Sequence, residues 1–205
     1  CNKIASLEMV TTLLNACPEA ASEKSRSGWT PLHFICFYIY ASLEMMTEVL
    51  NACPEASREQ NDDGFTPLHL MCWNRNVSLE MLQRVLDEWL KAKENRSSHS
   101  VNPLKGEKWV EVIRDDVKEL LCHLSSLFDE DNQSNPSPHD IMTHFINTSW
   151  WNGVWLVINR HPSIVKTIDL QTTAKADFLS AAGKRLGLAS MTELIKNEPD
   201  LLEGV

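Results

Sequence analysis

The sequence predicts an all-α fold made of stacked helix-turn-helix units. The phrase Ser-Leu-Glu-Met begins at Ser6, Ser42 and Ser78, and both intervals are the same, since 42 − 6 = 36 and 78 − 42 = 36. A fixed period of roughly 20 to 50 residues is typical of proteins whose repeats stack side by side. Within each period, apolar residues recur at helical spacing twice. The sequence therefore predicts a helical solenoid.

Each unit is predicted to contain a short first helix, a turn and a longer second helix. In the clearest unit, Thr66 is a hydroxyl cap and Pro67 suits the first helical position, where a missing N–H costs no hydrogen bond. Ser78 caps the second helix. In the two preceding units, Pro18 and Pro54 follow the second helix and prevent it from continuing. The apolar residues of the second helix are Leu79, Met81, Leu82, Val85, Leu86 and Trp89.

The turn that precedes the first helix carries a family resemblance. The segment from Asn61 to His69, Asn-Asp-Asp-Gly-Phe-Thr-Pro-Leu-His, resembles the turn and helix start of the ankyrin repeat family, and the segment from Ser25 to His33 repeats it. The period is longer than the family's usual length of about 33, and Ala-Cys-Pro-Glu-Ala stands where the family has Gly after the second helix. The resemblance implies a divergent ankyrin-like solenoid. It also implies that His33 and His69 are structural and hydrogen-bond the turns of neighbouring units.

Residues 1–89 are predicted to be well-formed ankyrin-like repeats, and residues 90–205 degenerate ones. The first repeat is partial, because Cys1 has the phase of Phe37 and Trp73, which indicates that the chain begins inside a repeat. About five units are expected in total. For the distal half, a helical domain of another kind packed on two good repeats is the alternative.

Two prolines keep the phase of the repeat in the distal half. Pro103 lies one period after Pro67, since 103 − 67 = 36, and Pro162 lies three periods after Pro54, since 162 − 54 = 108. Loops are predicted near 91–108 and 129–138. The helices predicted around them are Val110–Phe128, His139–Asn147, Trp150–Arg160, Ala174–Gly183 and Ser190–Asn197.

Composition limits the partners and the compartment. The net charge of −9 disfavours a nucleic-acid partner. No apolar run approaches the roughly 18 residues needed to cross a bilayer, so no membrane insertion is expected.

Cys17 and Cys53, like Cys36 and Cys72, are related by the period, and stacked helices lie too far apart for a disulfide. Reduced, buried thiols are expected, which favours an intracellular, cytoplasmic location.

No pattern of catalytic, metal-binding or cofactor-binding residues stands out. The residues Cys122, His123, His139, His144 and His161 lack metal-site spacing, and no phosphate-binding glycine loop occurs. The acidic run 129–131 is typical of a solvated loop. We therefore predict a protein that is not an enzyme and uses no cofactor. A catalytic rear half, with His144, His161 and carboxylates, is the enzymatic alternative.

Aromatic residues are the candidates for partner binding. The resemblance implies that Trp29 and Phe65 project from turn tips toward a concave surface, and that the ends of the first helices, Phe37, Tyr38, Trp73 and Asn74, line the same groove. Polar residues would form its rim: Arg26, Ser27, Asp62, Asp63 and Arg75. In the other interpretation, Trp73 and Phe37 pack as core between units. We predict a noncatalytic scaffold that binds a protein or peptide on this face. The alternative is a structural subunit of a larger multiprotein assembly.

Overall fold

A computed structural model describes residues 6–38, 41–105, 113–129 and 135–167. Within these ranges the fold is all-α, as predicted, and contains no β-strand. No helix in the same ranges is both long and apolar enough to traverse a membrane. The α-helices are α1 (Leu7–Ala16), α2 (Pro31–Phe37), α3 (Leu43–Ala52), α4 (Pro67–Trp73), α5 (Leu79–Trp89), α6 (Ser98–Val101), α7 (Asp115–Leu127), α8 (Pro138–Asn147) and α9 (Trp151–Arg160). Short 3-10 helices are Pro18–Ala21, Pro54–Arg58, Lys93–Asn95, Asn102–Lys105 and Pro162–Thr167.

The repeated phrase Ser-Leu-Glu-Met is the N-terminus of each second helix. Its serine is an extended N-cap, and the serine hydroxyl accepts a hydrogen bond from the backbone N–H of the methionine. The bonds are Met9 N to Ser6 Oγ at 3.3 Å, Met45 N to Ser42 Oγ at 3.2 Å and Met81 N to Ser78 Oγ at 3.2 Å. Each bond satisfies one of the backbone donors that a helix start leaves unpaired. The phrase therefore recurs because it starts a helix at α1, α3 and α5.

Helices of the same kind pack against one another. The first helices α2 and α4 are in contact, and the second helices α1, α3 and α5 pack in that order. α2 also contacts α3, and α4 contacts α5, so each pair forms a helical hairpin. The side chains between them are fully buried and include Leu32, Met46, Leu50, Leu68, Leu82 and Leu86. Apolar burial at equivalent positions holds successive hairpins together.

Three helices end in the same way, before a proline. The backbone N–H of the residue that precedes the proline reaches back four residues to a helical carbonyl, and a 3-10 turn then begins. The bonds are Cys17 N to Leu13 O (2.8 Å), Cys53 N to Val49 O (2.9 Å) and His161 N to Val157 O (2.8 Å). The helix end predicted at Pro162 is therefore confirmed.

The segment predicted as a loop near 91–108 is helical in much of its described part. Side chains from this segment hydrogen-bond the last carbonyls of α5: Asn95 Nδ2 donates to Trp89 O at 2.8 Å, and Arg96 Nε donates to Leu90 O at 2.6 Å. These donors satisfy acceptors that a helix C-terminus leaves free. α6 and the 3-10 helix Asn102–Lys105 follow, and the latter contacts α4. The prediction of a loop was wrong because polar residues that cap a neighbouring helix resemble solvated ones in sequence.

Helix α7 starts later than the predicted start at Val110. Arg114 is its N-cap, with an extended backbone (φ −62°, ψ 145°). The Arg114 guanidinium donates to Val77 O and to the carboxylate of Asp116, which holds residue 114 outside the helix. Asp115 and Asp116 then occupy the first turn, where the helix dipole favours negative charge.

The chain divides into two compact units, Cys1–Phe128 and Asp129–Val205. The predicted boundary after residue 89 falls inside the first unit, because α7 packs on α5 and on α6. Of the predicted loop near 129–138, Asp129 and residues 135–137 are non-helical, and Pro138 begins α8. The predicted helices Ala174–Gly183 and Ser190–Asn197 lie outside the described residues.

The second unit contains a tight turn between α8 and α9. Ser149 has a positive φ of 55°, and Trp150 is buried with its ring 4.8 Å from that of Phe145 in an edge-on arrangement. A Cβ atom on Gly153 would lie 2.4 Å from the Trp150 ring, so a glycine is required there. Trp150 and Trp155 are therefore core residues of this helix pair.

Candidate partner-binding surface

Two equivalent turns precede the first helices and fix the direction of Trp29 and Phe65. In the first turn, Ser25 N donates to Trp29 O at 2.9 Å, and in the second, Asn61 N donates to Phe65 O at 3.0 Å. In each turn, the side chain of the first residue accepts a hydrogen bond from the backbone N–H of the fifth residue. Trp29 N lies 3.1 Å from Ser25 Oγ, and Phe65 N lies 2.8 Å from Asn61 Oδ1. Both turns are therefore closed by side-chain hydrogen bonds.

Neighbouring turns are joined directly. Asp62 N donates to Ser27 O at 3.2 Å, and His33 Nε2 lies 3.0 Å from Phe65 O. His33 Nδ1 accepts from Thr30 N at 3.1 Å, so the neutral ring carries its proton on Nε2 and donates it to the Phe65 carbonyl. The structural role that the resemblance implied for His33 is confirmed. His69 makes the equivalent bond within its own unit, with Thr66 N at 3.1 Å from Nδ1.

Burial keeps both histidines neutral. It lowers the pKa of His33 and of His69 from the ordinary value of 6.5. Around His33, the hydrogen bond to the Phe65 carbonyl and the charge of Glu59 oppose the lowering of the pKa, while Lys24 adds to it. Both ring nitrogens of His33 are used in structural bonds, so its neutral imidazole is not available for acid-base chemistry.

These lowered pKa values predict a loss of stability toward acid. As the pH falls through 6.5, the unfolded histidines bind protons that the folded ones do not, so the free energy of unfolding should decrease until the pH reaches the lowered pKa values. Above about pH 7 this contribution to stability is fully present. Urea unfolding across this range measures the slope. The His33→Gln/His69→Gln variant should show a smaller slope, and an unchanged slope would contradict the prediction.

The aromatic residues at the turn exits pack on the aromatic residues at the helix ends. The Trp29 and Phe37 rings are 5.6 Å apart and edge-on, and the Phe65 and Trp73 rings are 4.7 Å apart with the same geometry. Both pairs are related by the repeat, since 65 − 29 = 36 and 73 − 37 = 36. Trp29, Phe65 and Trp73 are half-buried, whereas 59% of Phe37 is exposed. Edge-on pairs of this kind stabilise each other beyond the area they bury.

A groove of about 420 Å³ lies beside these aromatic pairs, between the C-terminal ends of α2 and α4. Its lining residues are Phe37, Tyr38, Leu70, Trp73, Asn74, Arg75 and Asn76. The structure thus brings together the helix-end residues that the sequence singled out. Trp29 and Phe65 are not among the lining residues and instead pack against Phe37 and Trp73 from the side of the turns.

Asn74 lines the groove but also has a structural role that the sequence did not indicate. Its Nδ2 group donates to Cys36 O at 3.1 Å and to Phe37 O at 3.2 Å, which satisfies carbonyls at the end of α2. Its Oδ1 atom accepts from Asn76 N at 3.1 Å. Asn74 therefore fixes the distance between the two helix ends that form the groove walls.

The polar residues predicted for the rim are exposed. Arg26, Ser27, Asp62 and Asp63 lie on the two turns, and Arg75 lies on the groove itself. Sequence reasoning did not place Leu70 or Asn76 at the groove. Leu70 could have been found, because it precedes Trp73 by three residues and so shares its helical face.

No protein-family model, no curated protein and no solved structure matches this chain.

The described cysteines have no disulfide partner and do not provide a nucleophile at this surface. Cys17, Cys36, Cys53, Cys72 and Cys122 are free thiols. Burial raises the pKa of Cys72 to about 12 and raises that of Cys36 further above its ordinary value. Both thiols are therefore protonated and shielded. Cys17 and Cys53 are only half-buried, contrary to the prediction, because they occupy the exposed C-terminal ends of α1 and α3.

Proposed function

We propose that this chain is a noncatalytic ankyrin-type scaffold that recognises a protein or peptide through the groove between the first helices. The observation that carries the proposal is the groove itself, with walls of Phe37, Tyr38 and Trp73. Aromatic side chains are enriched where binding energy concentrates at interfaces. The two turns beside the aromatic pairs are joined by hydrogen bonds, so the surface needs little ordering when a partner binds.

The ankyrin-type arrangement is supported by three features of the compact unit Cys1–Phe128. Each hairpin begins with a Thr-Pro-Leu-His helix start, each turn has a glycine with positive φ, and His33 connects one turn to the next. The side-by-side contacts of α2 with α4 and of α1, α3 and α5 in series fit a solenoid whose first helices share one concave face. We assign the groove to that face, because Phe37 and Trp73 are the last residues of the first helices α2 and α4.

The chemistry of the groove favours an extended peptide with an apolar anchor. The aromatic rings provide apolar contact, while Asn76 and Arg75 add polar groups to the lining. The groove volume of about 420 Å³ fits one or two large side chains, within the range of small-molecule and side-chain pockets. The net charge of −9 argues against nucleic acid as the partner.

Selection from a phage-displayed peptide library tests this function. Phe37→Ala/Tyr38→Ala is the decisive variant, because 59% of Phe37 and 40% of Tyr38 are exposed. We expect selected peptides to bind this variant at least about tenfold more weakly, while Tm changes little. The exposed Glu55→Ala is the matched control and should bind normally.

Two results would contradict the proposal. One is equal peptide binding by Phe37→Ala/Tyr38→Ala and by the unaltered chain. The other is copurification with fixed partners at constant stoichiometry through high salt, unaffected by the groove variant, which would favour the structural-subunit alternative. Trp29→Ala and Phe65→Ala are less suitable variants, because both rings are half-buried and their removal should reduce stability more than removal of the mostly exposed Phe37 ring.

A further inference from the structure

One face at the end of the helix row exposes large apolar side chains. Met9 and Leu13 of α1 are 58% and 56% exposed, and Phe34 of α2 is 51% exposed. Met9 and Leu13 are four residues apart and so lie on the same side of α1. These residues, Met9, Leu13 and Phe34, form what we call the end face.

The same positions are buried one repeat later. Met45 and Val49 of α3 correspond to Met9 and Leu13, since 45 − 9 = 36 and 49 − 13 = 36, and they are 9% and 2% exposed. Leu70 corresponds to Phe34, since 70 − 34 = 36, and is 3% exposed. The positions are apolar in every hairpin, and only their surroundings differ.

The helices that lie one period earlier account for this difference. α3 has α1 beside it, and α4 has α2 beside it. One period further on, Met81 and Val85 of α5 are again buried, and α5 has α3 beside it. Phe37 behaves differently, because its counterpart Trp73 stays half-buried even with a preceding helix present. Phe37 therefore belongs to the groove and not to the end face.

The charge of α1 also favours coverage by protein. Glu8 is the one charged residue of α1, whereas α5 carries Glu80, Arg84, Asp87 and Glu88. Solvated helix surfaces are normally rich in charge, and an exposed apolar side with so little charge is typical of an interaction face.

We propose that the end face is the docking site of two further helices of the same repeat, one packed on α1 and the other on α2 as these pack on α3 and α4. In repeat proteins each unit stabilises its neighbour through such a contact. This surface is distinct from the groove of the proposed function, and the two can be tested separately.

Two added helices in the correct register test the proposal. A copy of residues 6–36 is joined directly ahead of Cys1, which places Cys1 at the phase of Phe37, since 37 − 1 = 36. The copied helices would then have the positions relative to α1 and α2 that α1 and α2 have relative to α3 and α4. The control extension carries Leu14→Asp and Leu32→Asp in the copied segment only, which removes its apolar contacts at unchanged length.

We expect the extended chain to have a Tm on the order of 5 °C above that of the control extension. Amide hydrogen exchange in α1 should also be slower, since fraying of an end helix would be suppressed. Equal Tm values and equal exchange in α1 for the two extensions would overturn the proposal.

Sedimentation of the chain without extension tests whether a second copy of the chain covers the end face instead. A monomer is expected, whereas a dimer that Met9→Lys/Leu13→Lys dissociates would show that a second copy covers the face and would overturn the proposal.

Discussion

Replacing Gly28 by alanine should destabilise the protein by about 3 kcal/mol, whereas the same change at Gly64 should cost about 1 kcal/mol. Both glycines occupy the same turn position and have similar backbones, with φ of 73° and 80°. An alanine is strained at such φ values, so both variants acquire a similar backbone strain. The difference between them comes from what each Cβ atom would meet.

A Cβ atom on Gly28 would collide with the next turn. It would lie 2.6 Å from Asp62 Oδ1, 2.9 Å from Asp62 N and 3.2 Å from Asn61 Cα. The Asp62 side chain can move, but its backbone N–H is hydrogen-bonded to Ser27 O at 3.2 Å and cannot move away without breaking that bond. The substitution therefore separates the two turns as well as straining one of them.

Gly64 provides the control, because a Cβ atom there has no neighbour within 4 Å. Chemical denaturation of both variants gives the two free energies of unfolding, and their difference isolates the contact between turns. Equal losses would mean that strain alone determines the cost and that the turns do not support one another.

The parts of the fold that depend on local sequence were predicted well. Caps such as Ser78, first-turn prolines such as Pro67 and the stop at Pro162 act within a few residues, so their patterns can be read directly. The pairing of Phe37 with Trp73 in one groove was also predicted. It follows from the repeat, because equivalent residues of stacked hairpins must lie side by side.

Side-chain bonds to backbone carbonyls outside the repeated motifs were not predicted. Asn74 was expected to face a partner, yet its amide group bonds two carbonyls of α2, a contact that no spacing in the sequence reveals. Arg96 and Asn95 were assigned to a loop because their charge and polarity indicate solvent, while in the structure they cap α5. Polar residues that satisfy a distant backbone and polar residues that face water have the same composition.

The second large effect is expected at His33. We expect His33→Ala to destabilise the protein by about 3 kcal/mol, since the side chain is fully buried and its loss leaves a cavity, breaks the bond to the Phe65 carbonyl and removes the acceptor of the Thr30 N–H. His69→Ala should cost less, about 1 to 2 kcal/mol, because His69 is half-exposed. His69 Nδ1 accepts from Thr66 N as His33 Nδ1 accepts from Thr30 N. The two histidines therefore differ chiefly in the bond that joins His33 to the Phe65 carbonyl of the next turn.

A double-mutant cycle connects the two predictions. A Cβ atom at position 28 would collide with Asp62, and His33 bonds to Phe65, so both substitutions act on the same second turn. Once one substitution has separated the turns, the other has less left to disrupt. The Gly28→Ala/His33→Ala chain should therefore lose less free energy of unfolding than the two single losses combined, by roughly 0.5 kcal/mol or more. Gly64→Ala with His33→Ala should be closer to additive, because no atom contacts a Cβ at Gly64. If the free energies of unfolding were additive in both pairs, the substitutions at Gly28 and His33 would act on the second turn independently. The two contacts would then not form one cooperative junction between the turns.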